Sequence, residues 1–264
     1  MAQTSDQAVC LRVWDWSETS QTVSLFGRSA GVVRALAKGS KRPAAPFSGG
    51  IEPLQRADVG LIVKPSTDLA TLTRWDLAEV FPALRRNLRA LHAGLCAAEL
   101  VIETCAQRDA DAAIFDGLLE LLRTLKEEPK TPAALVAFQW LVLVRTGYAP
   151  NLREPPDSVS GAVGGGKVPA LFAPMRGGLV EAEQVESTEV VWRVRLETVS
   201  ALRRLEAGEQ LEGCESESIR RAGLLLGAYQ SSIIGHELRT IGLVFGGAHP
   251  PEQADRSTRS EQSA

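Results

Sequence analysis

The run VCLRVWDWSETSQTVSLFGRSAGVVRALAKGSKRP, residues 9–43, decides the fold class. Val9, Leu11 and Val13 alternate with Cys10, Arg12 and Trp14, the period of a half-buried strand. With the valines and leucine facing a core, Arg12 and Trp14 share the opposite face. Further strands are predicted at 22–26 and 31–37, set apart by Gly27. Beyond a basic loop, 59–63 and 69–80 read the same way, with Pro65 and Ser66 between them. Five short strands in about 75 residues point to a small closed barrel, since closure removes exposed edges.

After Phe81 the period changes. Pro82 suits a first helical turn, and Leu84, Leu88, Leu91, Leu95, Ala98, Ile102 and Cys105 then recur at spacings of four and three. This apolar stripe predicts a core-facing helix with Arg85, Arg86 and Arg89 outside it. More helices are predicted at 111–125, 132–146, 187–207 and 215–245. Prolines and glycines interrupt them between 150 and 182. The closing HPPEQADRSTRSEQSA is polar and proline-bearing, as expected of a disordered tail.

The chain of 264 residues has a formal net charge of −3, so any affinity for nucleic acid must come from a local patch. No segment has the roughly 18 unbroken apolar residues of a membrane span. The opening MAQTSDQAVC lacks the basic-then-apolar pattern of a signal peptide, so a cytoplasmic location is expected. Cys10, Cys96, Cys105 and Cys214 are scattered, never as C-x-x-C, and read neither as a disulfide framework nor as a zinc site. His92 and Cys96 stand four apart on one helix face, a spacing that core residues explain as well as metal ligands do.

The segment GAVGGGKV, 161–168, imitates a phosphate loop but ends in Val168, where a hydroxyl must reach magnesium, and Pro169 follows where a helix should start. It reads as a flexible glycine loop. There is no G-x-S-x-G elbow and no family-like Ser/His/Asp arrangement, so nothing calls for an enzyme.

The basic stretch around LAKGSKRPAAPFSGG, 36–50, is more telling. Arg28, Arg34, Lys38, Lys41, Arg42 and Arg56 face a single acid, Glu52, in this part of the chain. Arg12, Trp14, Trp16 and Phe47 lie close by in sequence. Basic groups can track phosphates while aromatic faces stack unpaired bases. Charge and spacing alone leave a phosphate-gripping loop and a solvated basic loop level. Phe47 serves equally as a stacking platform or as a pin holding the loop to the barrel.

Residues 9–43, followed by GGIEPL, resemble the N-terminal module of the RecO recombination mediators. TLTRWDLAEVFPALRRNL is similar to that family's last barrel strand entering its first helix. LVRTGYAPNL and ALFAPMRGGLV resemble the approach to its zinc module and the middle of that module. The resemblance implies an α+β chain: an OB-fold nucleic-acid-binding domain at 1–80 and an α-helical domain at 81–247. The latter carries an irregular insert at 151–183, and a disordered tail occupies 248–264. It implies a non-enzymatic mediator of DNA repair and homologous recombination, cytoplasmic and nucleoid-associated. Such a protein binds single- and double-stranded DNA, anneals strands and contacts single-strand-binding protein. With the RecR mediator it helps load the recombinase RecA.

Arg12, Arg34, Lys38, Lys41 and Arg42 match the family's basic OB-fold surface, and Arg28 sits in the neighbouring turn. Trp14, Trp16 and Phe47 are the stacking candidates. Arg220 and Arg221, beside Leu224, are candidates for partner contact, or equally a pair snorkelling over the bundle core. Many family members bracket the insert with four zinc-binding cysteines. Here both brackets lack cysteine, so no zinc and no other cofactor is expected. The alternative is a helical protein–protein interaction scaffold whose OB-like module binds protein and has no direct DNA role.

Overall fold

A computed structural model describes residues 2–42, 47, 50–63, 67–153 and 170–246. The expected glycine loop at 161–168 and the expected tail at 248–264 lie outside the described residues. Five strands close a barrel in the order β1-β2-β3-β5-β4: β1 (Ala2–Asp15), β2 (Gln21–Gly27), β3 (Gly31–Ala37), β4 (Arg56–Val63) and β5 (Leu69–Glu79). All pairings are antiparallel except β3 with β5, where Arg34, Ala35 and Leu36 pair in parallel with Leu69, Ala70 and Thr71. Val23, Leu25, Val33, Ala35, Val59, Leu61, Leu72 and Trp75 fill the barrel. This is the five-stranded arrangement that the turn punctuation predicts.

The strand reading needs one correction. Val9, Leu11 and Val13 do not share a face. Cys10 pairs with Leu25 and Arg12 with Ser24, so Leu11 is an extra residue in a β-bulge. The bulge reverses the parity of the strand. Val9 and Leu11 point away from the barrel into the helical core, whereas Val13 packs against the barrel interior. Arg12 and Trp14 still face outward together.

The helical body comprises α1 (Ala83–Arg86), α2 (Leu88–Thr104), α3 (Ala112–Thr124), α4 (Thr131–Arg145), α5 (Leu196–Glu206), α6 (Ser216–Ile234) and α7 (Ile241–Phe245). The expected single helix after Phe81 breaks at Asn87, whose extended backbone (φ −131°) and side chain cap α2 through the amides of Arg89 and Ala90. The expected helix at 187–207 begins only at Leu196. Trp192–Val194 before it is a strand, β8, forming a small sheet with β6 (Ala170–Ala173) and β7 (Gly178–Val180) in the order β7-β6-β8. The irregular insert is thus partly ordered, and its sheet extends past 183. The expected helix at 215–245 is divided by Gly235, whose φ of +81° ends α6.

Barrel and helices share one apolar core. Val9, Leu11, Phe26, Val32 and Leu54 from the barrel's outside join the buried residues of the helices, and the rings of Phe26 and Phe115 lie 5.8 Å apart. Polar links reinforce the seam. Arg108 donates its backbone N–H to Val32 O (3.0 Å), and its guanidinium donates to Thr67 O (2.7 Å). Gly31 makes this approach possible: its φ is +67°, and a Cβ there would stand 2.4 Å from Asp109 O. Among the described residues no helix is long and apolar enough to cross a membrane.

Candidate nucleic-acid interface

The cross-strand register gathers the outward side chains of the first three strands. Arg12 of β1, Ser24 of β2 and Arg34 of β3 stand in one row, and Trp14, Thr22 and Leu36 stand in the next. The Arg12 guanidinium carbon lies 5.4 Å from the centre of the Trp14 ring, and that of Arg34 lies 5.9 Å from it. Each such contact is worth about 0.5–1 kcal/mol at an exposed site. The indole is held in place yet remains 39% exposed. A guanidinium lying over a ring keeps N–H donors at its edge for a phosphate. Thr22 and Ser24 are buried on this outer face.

The basic loop docks beside this row. Gly39 donates its N–H to Ser20 Oγ (3.0 Å), Ser40 Oγ to Gln21 Oε1 (3.0 Å), and the Lys41 N–H to Thr19 O (3.1 Å). The start of the β3–β4 connection is therefore fastened to the β1–β2 turn, which carries Trp16 at 62% exposure. The Arg42 N–H closes a turn on Gly39 O (3.0 Å), where Gly39 takes a φ of +71°. Lys38 and Arg42 are exposed at this rim.

Ion pairing divides the predicted basic residues. Arg12, Arg34, Lys38 and Arg42 have no carboxylate partner among the described residues. Lys41 Nζ is 2.7 Å from Asp15 Oδ1, an exposed pair of small net value. Arg28 is committed elsewhere: Nε and Nη2 donate to the Asp116 carboxylate of α3 at 3.1 and 2.7 Å. That hydrogen bond holds the Asp116 carboxyl below its ordinary range. Arg28 is thus a bolt between barrel and helices and not a free phosphate ligand. Arg56 pairs with Glu79, which also receives two hydrogen bonds from Arg123. Sequence reading has no signal for these pairs, because their members lie far apart in the chain.

Two readings that the sequence leaves open are narrowed by the structure. Phe47 is 5% exposed, packs in the barrel core and bridges Trp75, so it pins the loop and offers no stacking face. Arg220 and Arg221 both reach Glu217, at 2.7 and 3.0 Å, and Arg220 also donates to Phe245 O. Both cations are thus ion-paired at the start of α6.

Among the described residues no three His, Cys, Asp or Glu side chains meet in a way that could hold a metal. The Cys10 and Cys96 thiols are pushed up to about 12 by burial. Structural zinc requires thiolate or imidazole ligands, and residues 151–195 contain neither Cys nor His. The residues of the insert therefore do not fit the metal. Other contacts hold it. Arg176 Nη2 donates to Gln184 O (2.9 Å) and to Glu189 Oε2 (2.7 Å), Asn151 bridges Gly177 and Leu179, and Phe172 stacks on Trp192 at 5.8 Å.

Two family models match the chain, Recombination protein O N terminal over residues 1–81 and Recombination protein O C terminal over residues 85–240. A DNA repair protein RecO of Salinibacter ruber is 31% identical over 213 residues, which cover 76% of this chain and 82% of the relative. Its counterpart in Myxococcus xanthus is 28% identical over 242 residues, 91% of this chain and 96% of the relative. The counterpart in Rhodopirellula baltica is 34% identical over 143 residues, 54% of this chain and 53% of the relative, so this match spans about half of that protein.

Proposed function

The chain belongs to the RecO family of DNA repair and recombination proteins, and on that premise we propose that it binds DNA through the outer face of its barrel. One observation carries this reading. Arg12, Arg34, Lys38 and Arg42, four cations without a carboxylate partner among the described residues, belong to the barrel face and docked loop that present Trp14 and Trp16. The guanidinium and ammonium groups neutralise backbone phosphates and release counterions, which gives affinity without sequence preference. Trp14 and Trp16 stack unpaired bases, each stack being worth about 1–3 kcal/mol. Lys41 joins the set when phosphate displaces Asp15.

Strand annealing follows from the same surface and needs no turnover. Two complementary strands held near one cationic rim have their repulsion screened and pair by themselves. Duplex DNA meets only the phosphate-binding part of the site. The family premise adds the partners: single-strand-binding protein, the RecR mediator and, through them, loading of the recombinase RecA. We assign no zinc to the protein, in keeping with an insert that lacks thiols and imidazoles.

The test is a fluorescence anisotropy titration with a labelled single strand at low and high salt, beside a dye-pair assay of annealing between complementary strands. Salt-sensitive binding and accelerated annealing are expected. Absence of binding at low salt overturns the proposal in favour of a protein-binding barrel.

A further inference from the structure

The leucines whose spacing predicts a core stripe are covered by the fold only in part: Leu84, Leu91 and Leu95 pack against the edge of the core, and Leu88 stands clear of it. α2 buries a different flank against the bundle, made of Ala90, Ala93, Cys96, Ala97, Leu100 and Val101. Leu88 is 67% exposed, and Leu91 and Leu95 are only half-buried. Leu91 and Leu95 join Leu84, Leu54, Val80 and Phe81 in lining an open groove of about 680 Å³ where the barrel meets the helices. Gly94 lets two of these residues settle against α2. A Cβ at that position would stand 2.8 Å from Leu54 Cδ1 and 3.3 Å from Leu84 Cδ2.

Charge borders this apolar surface. Arg85 and Arg86 line the groove beside Glu52 and Gln55, and Arg89 follows at the first turn of α2. Arg85 is paired with Glu52, but Arg86 and Arg89 are exposed and have no carboxylate partner among the described residues. We propose that the groove is a docking site for one amphipathic helix of a partner protein, with acidic residues flanking its apolar stripe.

Two features select that occupant. Leu88, Leu91 and Leu95 follow a three-four spacing along α2, which offers ridges to a second helix. The unpaired arginines at the border select carboxylates on either side of the incoming stripe. Other occupants fit less well. Phe81 is the one aromatic residue of the lining and is only 7% exposed, so no flat aromatic face meets a base. A second copy docking face to face would bring two sets of arginines together. Residues 247–264 contain no Val, Leu, Ile, Met, Phe, Tyr or Trp with which to fill the groove.

The experiment selects displayed helical peptides of about 18 residues, about 27 Å long, with randomised surfaces, against the full-length chain. Enriched peptides are resynthesised with a fluorophore and titrated. They are expected to carry a three-four apolar stripe flanked by Asp and Glu. Binding should weaken about tenfold or more in the Arg86→Glu, Arg89→Glu double variant and vanish in Leu91→Asp. The affinity of both variants for single-stranded DNA should stay that of the parent, which separates this proposal from the barrel's role. The double variant changes only exposed side chains, so its result stands if Leu91→Asp folds poorly. Four results overturn the proposal: no enriched peptide that depends on these residues, enriched peptides with basic or neutral flanks, displacement of the peptides by an oligonucleotide, or self-association dissolved by Leu91→Asp.

Discussion

Replacing Arg12 and Arg34 together by glutamine tests the proposed DNA surface most directly. Both side chains stand outside the barrel, and neither has a carboxylate partner among the described residues. The barrel interior, built on Val23, Leu25, Val33 and Leu72, is untouched by the change. Each phosphate neutralised on a single strand contributes about −0.7 to the slope of log affinity against log salt. Four unpaired cations therefore give a slope of about −2.8, and the two that remain give about −1.4; Lys41 adds nothing net, because the Asp15 carboxylate it releases takes up a cation in its place. Between 50 and 200 mM monovalent salt the parent should lose about 50-fold in affinity and the double variant about 7-fold.

Trp14→Ala supplies the complementary reading. Loss of one stacked base costs about 1–3 kcal/mol, or about 5- to 150-fold in affinity, while the salt slope stays that of the parent because no charge is removed. Both quantities come from anisotropy titrations of a labelled oligothymidine at several salt concentrations, with thermal melts as the control for folding. A double variant with the parent's slope would refute the assignment of phosphate contact to this row. A Trp14→Ala protein with parental affinity would refute the stacking role.

Arg28→Ala should leave both DNA affinity and salt slope unchanged, because this guanidinium is occupied by Asp116; the same titration checks it. Metal analysis of the purified protein should find no stoichiometric zinc, and a chelator should not move its melting temperature. Arg176→Ala should lower stability by about 1.5–3 kcal/mol, measured in denaturant, because Glu189, with a side chain 12% exposed, loses its charged partner. The Arg220 hydrogen bond holds the Glu217 carboxyl down to about 2 from an ordinary 4.5. Since the folded value is depressed, its contribution is complete above pH 4.5 and fades as pH falls from there toward 2. The melting-temperature gap between the parent and Glu217→Gln should therefore be constant near neutrality and close on acidification.

The barrel was legible because its signals are local. Alternation marked the strands, and Gly27, Pro65 and Ser66 marked their limits. The helices were legible as helices, but α2 shows what periodicity leaves open. It carries two apolar flanks, and the larger side chains, Leu88, Leu91 and Leu95, mark the one that the fold covers only in part. The buried flank is rich in small residues, Ala90, Ala93 and Ala97, which lets neighbouring elements come close. A hydrophobic stripe states that a face is apolar and not whether the fold covers it. The candidate site was legible by residue type and not by pairing. Arg28 and Arg34 look alike in sequence, yet one meets an aspartate 88 positions away and the other an indole. Phe47 looked available because aromatic residues in loops serve either as platforms or as anchors. Only the barrel interior, where it bridges Trp75, decides between them.

The bulge at Leu11 connects the fold to the proposed function. An unbroken strand would place residues 9, 11 and 13 on one face, giving β1 a single outer surface along its length. The extra residue divides the strand in two. Up to and including it, Val9 and Leu11 point out of the barrel and are buried against the helices. Beyond it, Arg12 and Trp14 point out of the barrel into solvent while Val13 returns to the interior. One strand can thus dock a second domain at one end and offer a cationic aromatic row at the other. The neighbouring segment supports the same point, for Cys10 exchanges backbone hydrogen bonds with Leu54 and Gln55 at 2.6 and 2.9 Å. Because the helices hold the strand through Val9 and Leu11, the orientation of Arg12 and Trp14 is inherited from a packed core and not left to a free edge. Rigidity of that kind lowers the entropy lost when a flexible single strand is bound.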